Sequence, residues 1–135
     1  MKFRKPRCVL VYALAPDGTK PYEANQAING MAADSELPLI LWHDHFLGKP
    51  GGVLLFFVEN EIQRDKLEHN DHLPGWYVEI RPLIFSFNPA AFDEQISYTM
   101  KSYRDQDWET IQKEKRPSYG NPRQEVLSAK EEIED

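Results

Sequence analysis

The chain of 135 residues predicts an α+β domain in the order strand, helix, strand, strand, helix, strand, with two helices over a four-stranded sheet. Three observations carry that expectation. Four apolar runs of strand length are each closed by Gly, Pro, Asn or Asp. Segments with helical spacing follow the first and the third run. The connections are short, so that all four strands fit within about 80 residues, a single domain by length.

The first strand is Cys8–Ala15, apolar on both faces and closed by Pro16-Asp17-Gly18. A helix follows, with Thr19 as its cap, Pro21 in its first turn, and Ala24, Ala27, Ile28 and Met31 at helical spacing; Pro38 fixes its end. Leu39–Leu47 is the second strand, with Leu39, Leu41, His43 and His45 alternating against Ile40, Trp42, Asp44 and Phe46. The glycine-rich loop 48–52 joins it to the third strand, Val53–Val58, as a hairpin. Asn60 caps the second helix and Gln63 completes a capping-box pair. Pro74-Gly75 stops that region, and Trp76–Phe87 is the fourth strand. Pro82 cannot donate to a ladder, which places this strand at an edge or gives it a bulge.

That order is the split βαβ pattern of ferredoxin-like folds. Residues 1–90 are read as the ferredoxin-like domain, 91–116 as a C-terminal helical extension and 117–135 as an acidic, loosely held tail. In the extension Asn88-Pro89 opens a helix whose stripe is Phe92, Ile96, Met100 and Tyr103, with Trp108 and Ile111 extending it. Two helices cover only one face of a sheet, yet two of the strands are apolar on both. The other face needs a cover, which a partner subunit's sheet or the C-terminal helix can provide. The first alternative makes the protein a homodimer.

Charge and cysteine content narrow the function classes. The net charge is −6, −2 over residues 1–90 and −4 over residues 91–135, whereas a general nucleic-acid binder carries a basic footprint. The single Cys8 allows no internal disulfide and fits a reducing compartment. The N-terminus MKFRKPR has signal-like charges, but the apolar stretch behind it is short and no cleavage site follows. No run approaches the roughly 18 apolar residues of a membrane span. These features read as a cytoplasmic protein without nucleic-acid or membrane partners. The basic residues Lys2, Arg4, Lys5 and Arg7 read as a solvated lead-in to the first strand.

Chemistry is sought at the histidines. In this topology His43 and His45, late in the second strand, and His69 and His72, before the fourth, fall at the same end of the sheet beside Asp44 and Asp71. Imidazoles near carboxylates can move protons near neutral pH. His45 and His72 are the proton-transfer candidates, with Tyr12, Trp42, His43 and His69 lining a small-molecule pocket. A His-Asp-His alternation also lets two imidazoles share an ion, but Phe46–Gly52 holds no acidic ligand and the longer zinc signatures need more donors than Trp42–Gly48 supplies. Neither a metal nor a cofactor is expected. Gly48–Gly52 lacks P-loop spacing, and Cys8 has no activating base beside it.

The stretch Gly51–Leu83 (GGVLLFFVENEIQRDKLEHNDHLPGWYVEIRPL) resembles YCII-related proteins of the dimeric α+β barrel superfamily. It has their glycine pair, apolar strand, acidic capped helix, Asp-led turn, glycine, and a last strand ending near Arg-Pro. His72 stands where a Pro commonly follows the Asp, and the histidine-containing helix of the N-terminal half is absent, so no catalytic role carries over. The resemblance implies a homodimer, a pocket between sheet and helices, and cofactor-free acid–base or oxygen chemistry on a small, often aromatic molecule. The expected function is therefore a cofactor-free enzyme of isomerase or monooxygenase type. The alternative is a non-catalytic ligand-binding or dimeric scaffold protein with structural histidines.

Overall fold

The computed structural model describes residues 5–115. Lys2, Arg4 and the acidic tail 117–135 lie outside them. The elements run β1 (Arg7–Leu14), α1 (Pro21–Ala33), β2 (Leu39–His45), β3 (Gly51–Val58), α2 (Glu61–Glu68), β4 (Tyr77–Pro82), α3 (Ala91–Arg104) and α4 (Trp108–Lys115). The four strands form one antiparallel sheet in the order β2-β3-β1-β4, an α+β arrangement compatible with a ferredoxin-like fold. No helix among the described residues is long and apolar enough to cross a membrane.

The core lies between one sheet face and two helices. Val9 and Val11 of β1 and Leu54, Phe56 and Val58 of β3 alternate toward Ile28 and Met31 of α1 and Leu67 of α2, all buried. Burying an aliphatic or aromatic side chain of this size contributes roughly 1.5–3 kcal/mol, so this layer dominates the fold's stability. Gly52 makes the seating close. A Cβ there would strike the Asp44 carbonyl and Ile28 Cδ1, so only glycine lets α1 sit this near β3.

Local chemistry sets the helix ends. Asn60 Oδ1 accepts from Gln63 N at 2.9 Å, and the Gln63 side chain reaches back to Glu59 N at 2.8 Å, one residue earlier than a standard capping box. The α1 cap is Lys20 rather than Thr19, with Pro21 in the first turn. Helix α3 starts at Ala91, later than the Asn88-Pro89 pair suggests; Asn88 O instead accepts from Ala91 N. Trp108 and Ile111 do not extend α3. Asp105 takes the left-handed conformation, φ 51°, and α4 folds back so that Trp108 Nε1 donates to Asp93 Oδ1 at 2.9 Å.

Strand β4 is an edge strand and ends at Pro82, five residues before the expected Phe87. Beyond it Cys8 still bonds both ways, accepting from Leu83 N and donating to Ser86 O. Strand β2 is the other edge and departs from simple alternation. Ile40 pairs with Phe56 but Trp42 with Leu55, so Leu41 is an extra residue in a bulge. The bulge shifts the phase: Ile40 joins His43 and His45 on the helix-covered face, while Leu39, Trp42 and Asp44 share the other.

That other face is apolar across its two central strands and carries charge only on its edge strands, at Asp44, Glu79 and Arg81. Register places Cys8, Leu10, Tyr12 and Leu14 of β1, Val53, Leu55 and Phe57 of β3, and Leu39 and Trp42 of β2 upon it. Tyr77, Glu79 and Arg81 of β4 complete it. Helix α3 meets it where Phe92 packs edge-on against Trp42, with ring centroids 6.2 Å apart. Cys8 Sγ donates weakly to Asn88 O just ahead of that helix, and Cys8 and Leu55 are buried. Leu39 (58% exposed), Tyr77 (56%) and Trp42 (38%) remain open.

Candidate functional site

The histidines divide into three places. His43 and His45 lie on the helix-covered face of β2, because the Leu41 bulge turns them there and Gly52, opposite His45, lets α1 come down beside them. Asn29 of α1 meets both. Its Oδ1 lies 3.1 Å from His43 Nε2 and 3.1 Å from His45 Nε2. A carboxamide oxygen can only accept, so each imidazole donates to it from Nε2. The two rings stand edge to face with centroids 5.6 Å apart.

In that tautomer His45 Nδ1 is a bare lone pair, and it is buried with no hydrogen-bond partner. Burial, and secondarily the neighbouring His43, push the His45 pKa below the ordinary 6.5, against the opposing charge of Asp44. The ring is therefore neutral at pH 7. Asp44 turns back on its own strand, where its Oδ1 accepts from His45 N at 2.8 Å.

His72 is held elsewhere. Its Nε2 contacts Asp34 Oδ2 at 2.7 Å, tying the α2–β4 loop to the end of α1. Its Nδ1 faces Gly30, which shares a helix face with Asp34 four residues on. Asn29 is turned about 100° from Gly30 around the same helix, so the two histidine sites address different faces of α1. The hydrogen bond from His72, reinforced by the Glu36 amide, holds the Asp34 carboxyl below its ordinary value of 3.8. His69 closes α2, with its amide and its Nδ1 both on Asp65 O at 3.0 and 2.9 Å. Asp65, Glu68 and His69, all exposed, are the one group of three such side chains among the described residues close enough to share an ion. Glu68 is already paired with Arg64 at 2.9 Å.

The remaining pocket candidates lie on the open sheet face. Tyr12 is partly exposed, its ring 5.2 Å from Phe46, and Trp42 is on the same face two strands away. The structure thus brings His43 and His45 together, puts Tyr12 and Trp42 on the opposite side of the sheet without contact between them, and leaves His69 and His72 apart from both places. Clefts along α3 and α4 measure about 200–460 Å³; one is lined by Ser86, Phe92, Gln95, Ile96, Thr99 and Met100, and no histidine lines any of these clefts.

Two residues that matter here have no sequence signal of their own. Asn29 sits beside the core residue Ile28, and only the helix phase could have marked it as the polar neighbour of the sheet edge. Asp34 is the C-cap of α1 and pairs with a residue 38 positions away. Compared with protein-family models, curated proteins and solved structures, the chain shows no match.

Proposed function

We propose that the chain acts as a homodimer that closes the open faces of two sheets on one another and binds a small, apolar or aromatic molecule between them. In this reading it is a dimeric α+β barrel protein without catalytic histidines. The observation that carries it is the open face itself, with Leu39, Trp42 and Tyr77 exposed beside Leu10, Tyr12, Leu14, Val53 and Phe57, and with the charged Asp44, Glu79 and Arg81 confined to its two edge strands. Soluble monomers rarely leave so continuous an apolar surface to water, and a stable pair needs roughly 800 Å² per partner, the scale of one sheet face. A second copy supplies a surface of the same shape and polarity, with Arg81 and Glu79, paired at 3.0 Å, at its rim. Tyr12 and Trp42 then line the space between the sheets, while His43, His69 and His72 serve their observed partners.

Sedimentation of the full chain should give a mass near twice 15.7 kDa. Trp42→Glu should give a monomer with unchanged far-UV circular dichroism, because it buries a charge in the interface. Removal of residues 117–135 should leave the dimer intact. A full chain that stays monomeric at high concentration, or a dimer lost with the tail, overturns the proposal.

A second reading, cofactor-free proton transfer on a small molecule, is favoured by one observation: His45 keeps a neutral ring with an unpartnered Nδ1. His72 has its Nε2 engaged by Asp34 and would act separately. His45→Gln should abolish turnover in a screen of small aromatic substrates while the protein stays folded. Unchanged turnover removes His45 from the chemistry.

A further inference from the structure

We propose that His43, His45 and Asn29 form a binding site for a divalent late first-row transition ion of the Zn²⁺ type. The argument starts from convergence. Two imidazole nitrogens carried two residues apart on one strand, and an amide oxygen from the helix above, point at a common region, with both Nε2 atoms 3.1 Å from the same Oδ1. An ion about 2.0–2.2 Å from each of its ligand atoms sets neighbouring ligand atoms roughly 3.0–3.5 Å apart, so the observed spacing already suits shared coordination. Imidazole suits these ions, and the harder amide oxygen of Asn29 is the weakest of the three ligands.

Binding moves each proton from Nε2 to Nδ1. The bonds to Asn29 Oδ1 that now hold these protons on Nε2 are exchanged for ligation, and the proton on His45 Nδ1 has no acceptor among the described residues, which lowers the affinity. The ligands are held by packed elements rather than by a loop: the β2–β3 ladder fixes both histidines, and the buried Ile28 and Met31 fix the turn of α1 that presents Asn29. Water would fill the remaining coordination positions. This proposal is independent of the dimer, and it concerns binding rather than turnover.

The test uses untagged full-length protein, stripped with chelator and titrated with Zn²⁺ by calorimetry and with Co²⁺ by visible absorption. One ion per chain is expected, with a Co²⁺ spectrum showing nitrogen ligation. His43→Gln, an exposed change that spares the core, should weaken binding by roughly a hundredfold, as should His45→Gln if it folds. Asn29→Asp should bind more tightly, because it adds a charge at the same reach. His69→Gln, in the exposed Asp65–Glu68–His69 group, should leave the affinity unchanged. Binding that survives His43→Gln, binding abolished by His69→Gln, or no binding at all overturns the proposal.

Discussion

Gly52 shows how much of this molecule turns on one missing methyl group. Its neighbours are the backbone carbonyl of Asp44 and the tip of Ile28, and the carbonyl cannot swing aside as a side-chain end can. Gly52→Ala should therefore cost about 1–3 kcal/mol by overpacking, read as a lower denaturant midpoint. A neutral result would contradict the close seating of α1 on β3. Asp34 makes a second residue-scale prediction. Its pKa is depressed on folding, so its contribution is fully present above the unfolded value and is lost as pH falls through the lower folded one. The stability gap between the wild type and Asp34→Asn should be open at pH 5 and should close as the solution is taken well below pH 4, followed by urea midpoints. A gap that does not change with pH would mean that the His72 contact does not stabilise the carboxylate.

At the scale of elements, the turns of the first 80 residues and the cap of α2 were legible because each is written in local chemistry, whereas α1 is capped by Lys20 without a side-chain bond and not by Thr19. Asn60 and Gln63 are the clearest case, and Asn60→Ala should cost about 1 kcal/mol, measured by chemical denaturation, with Gln63→Ala costing less. Three boundaries were not legible, each for a physical reason. The Leu41 bulge leaves no trace in an alternating stretch, since Leu39–His45 reads as a regular strand in either phase. Asp105 ends α3 by adopting a left-handed conformation without the glycine that usually marks one. The run after Pro82 is apolar enough to pass for strand, but beyond it Cys8 accepts from Leu83 N and donates to Ser86 O rather than bonding one opposite residue both ways, so the regular pairing with β1 stops there. The site divides the same way. His43 and His45 were visible as a pair from their spacing, whereas the partner that unites them depends on helix phase and on Gly52. Asp34 and His72 are joined only by the fold.

For the whole molecule, the decisive feature is an imbalance between two faces of one sheet. Helices α1 and α2 bury the first; α3 reaches the second chiefly through Phe92 on Trp42. The expectation that something must cover the second face came from apolar runs without a polar phase, and it rested on counting helices rather than on any motif. If the cover is a second copy, the dimer should depend little on salt, since the centre of its interface is apolar and its charges, Asp44 and the Arg81–Glu79 pair, lie on the edge strands. Sedimentation at low and high ionic strength checks this, and dissociation on adding salt would point to a charged contact instead.

The bulge in β2 and the proline at the end of β4 have a joint consequence for assembly. A sheet with two free edges invites further strands, and repeated edge pairing leads to open-ended aggregates. Here one rim is kinked by the extra residue Leu41 and the other is cut short at Pro82, so neither presents a long, flat row of unpaired amides. Growth sideways is discouraged at both rims, and association through the broad face is the route left open. Face-to-face pairing stops at two, so the same details that shape the histidine strand also favour a closed particle over a fibre.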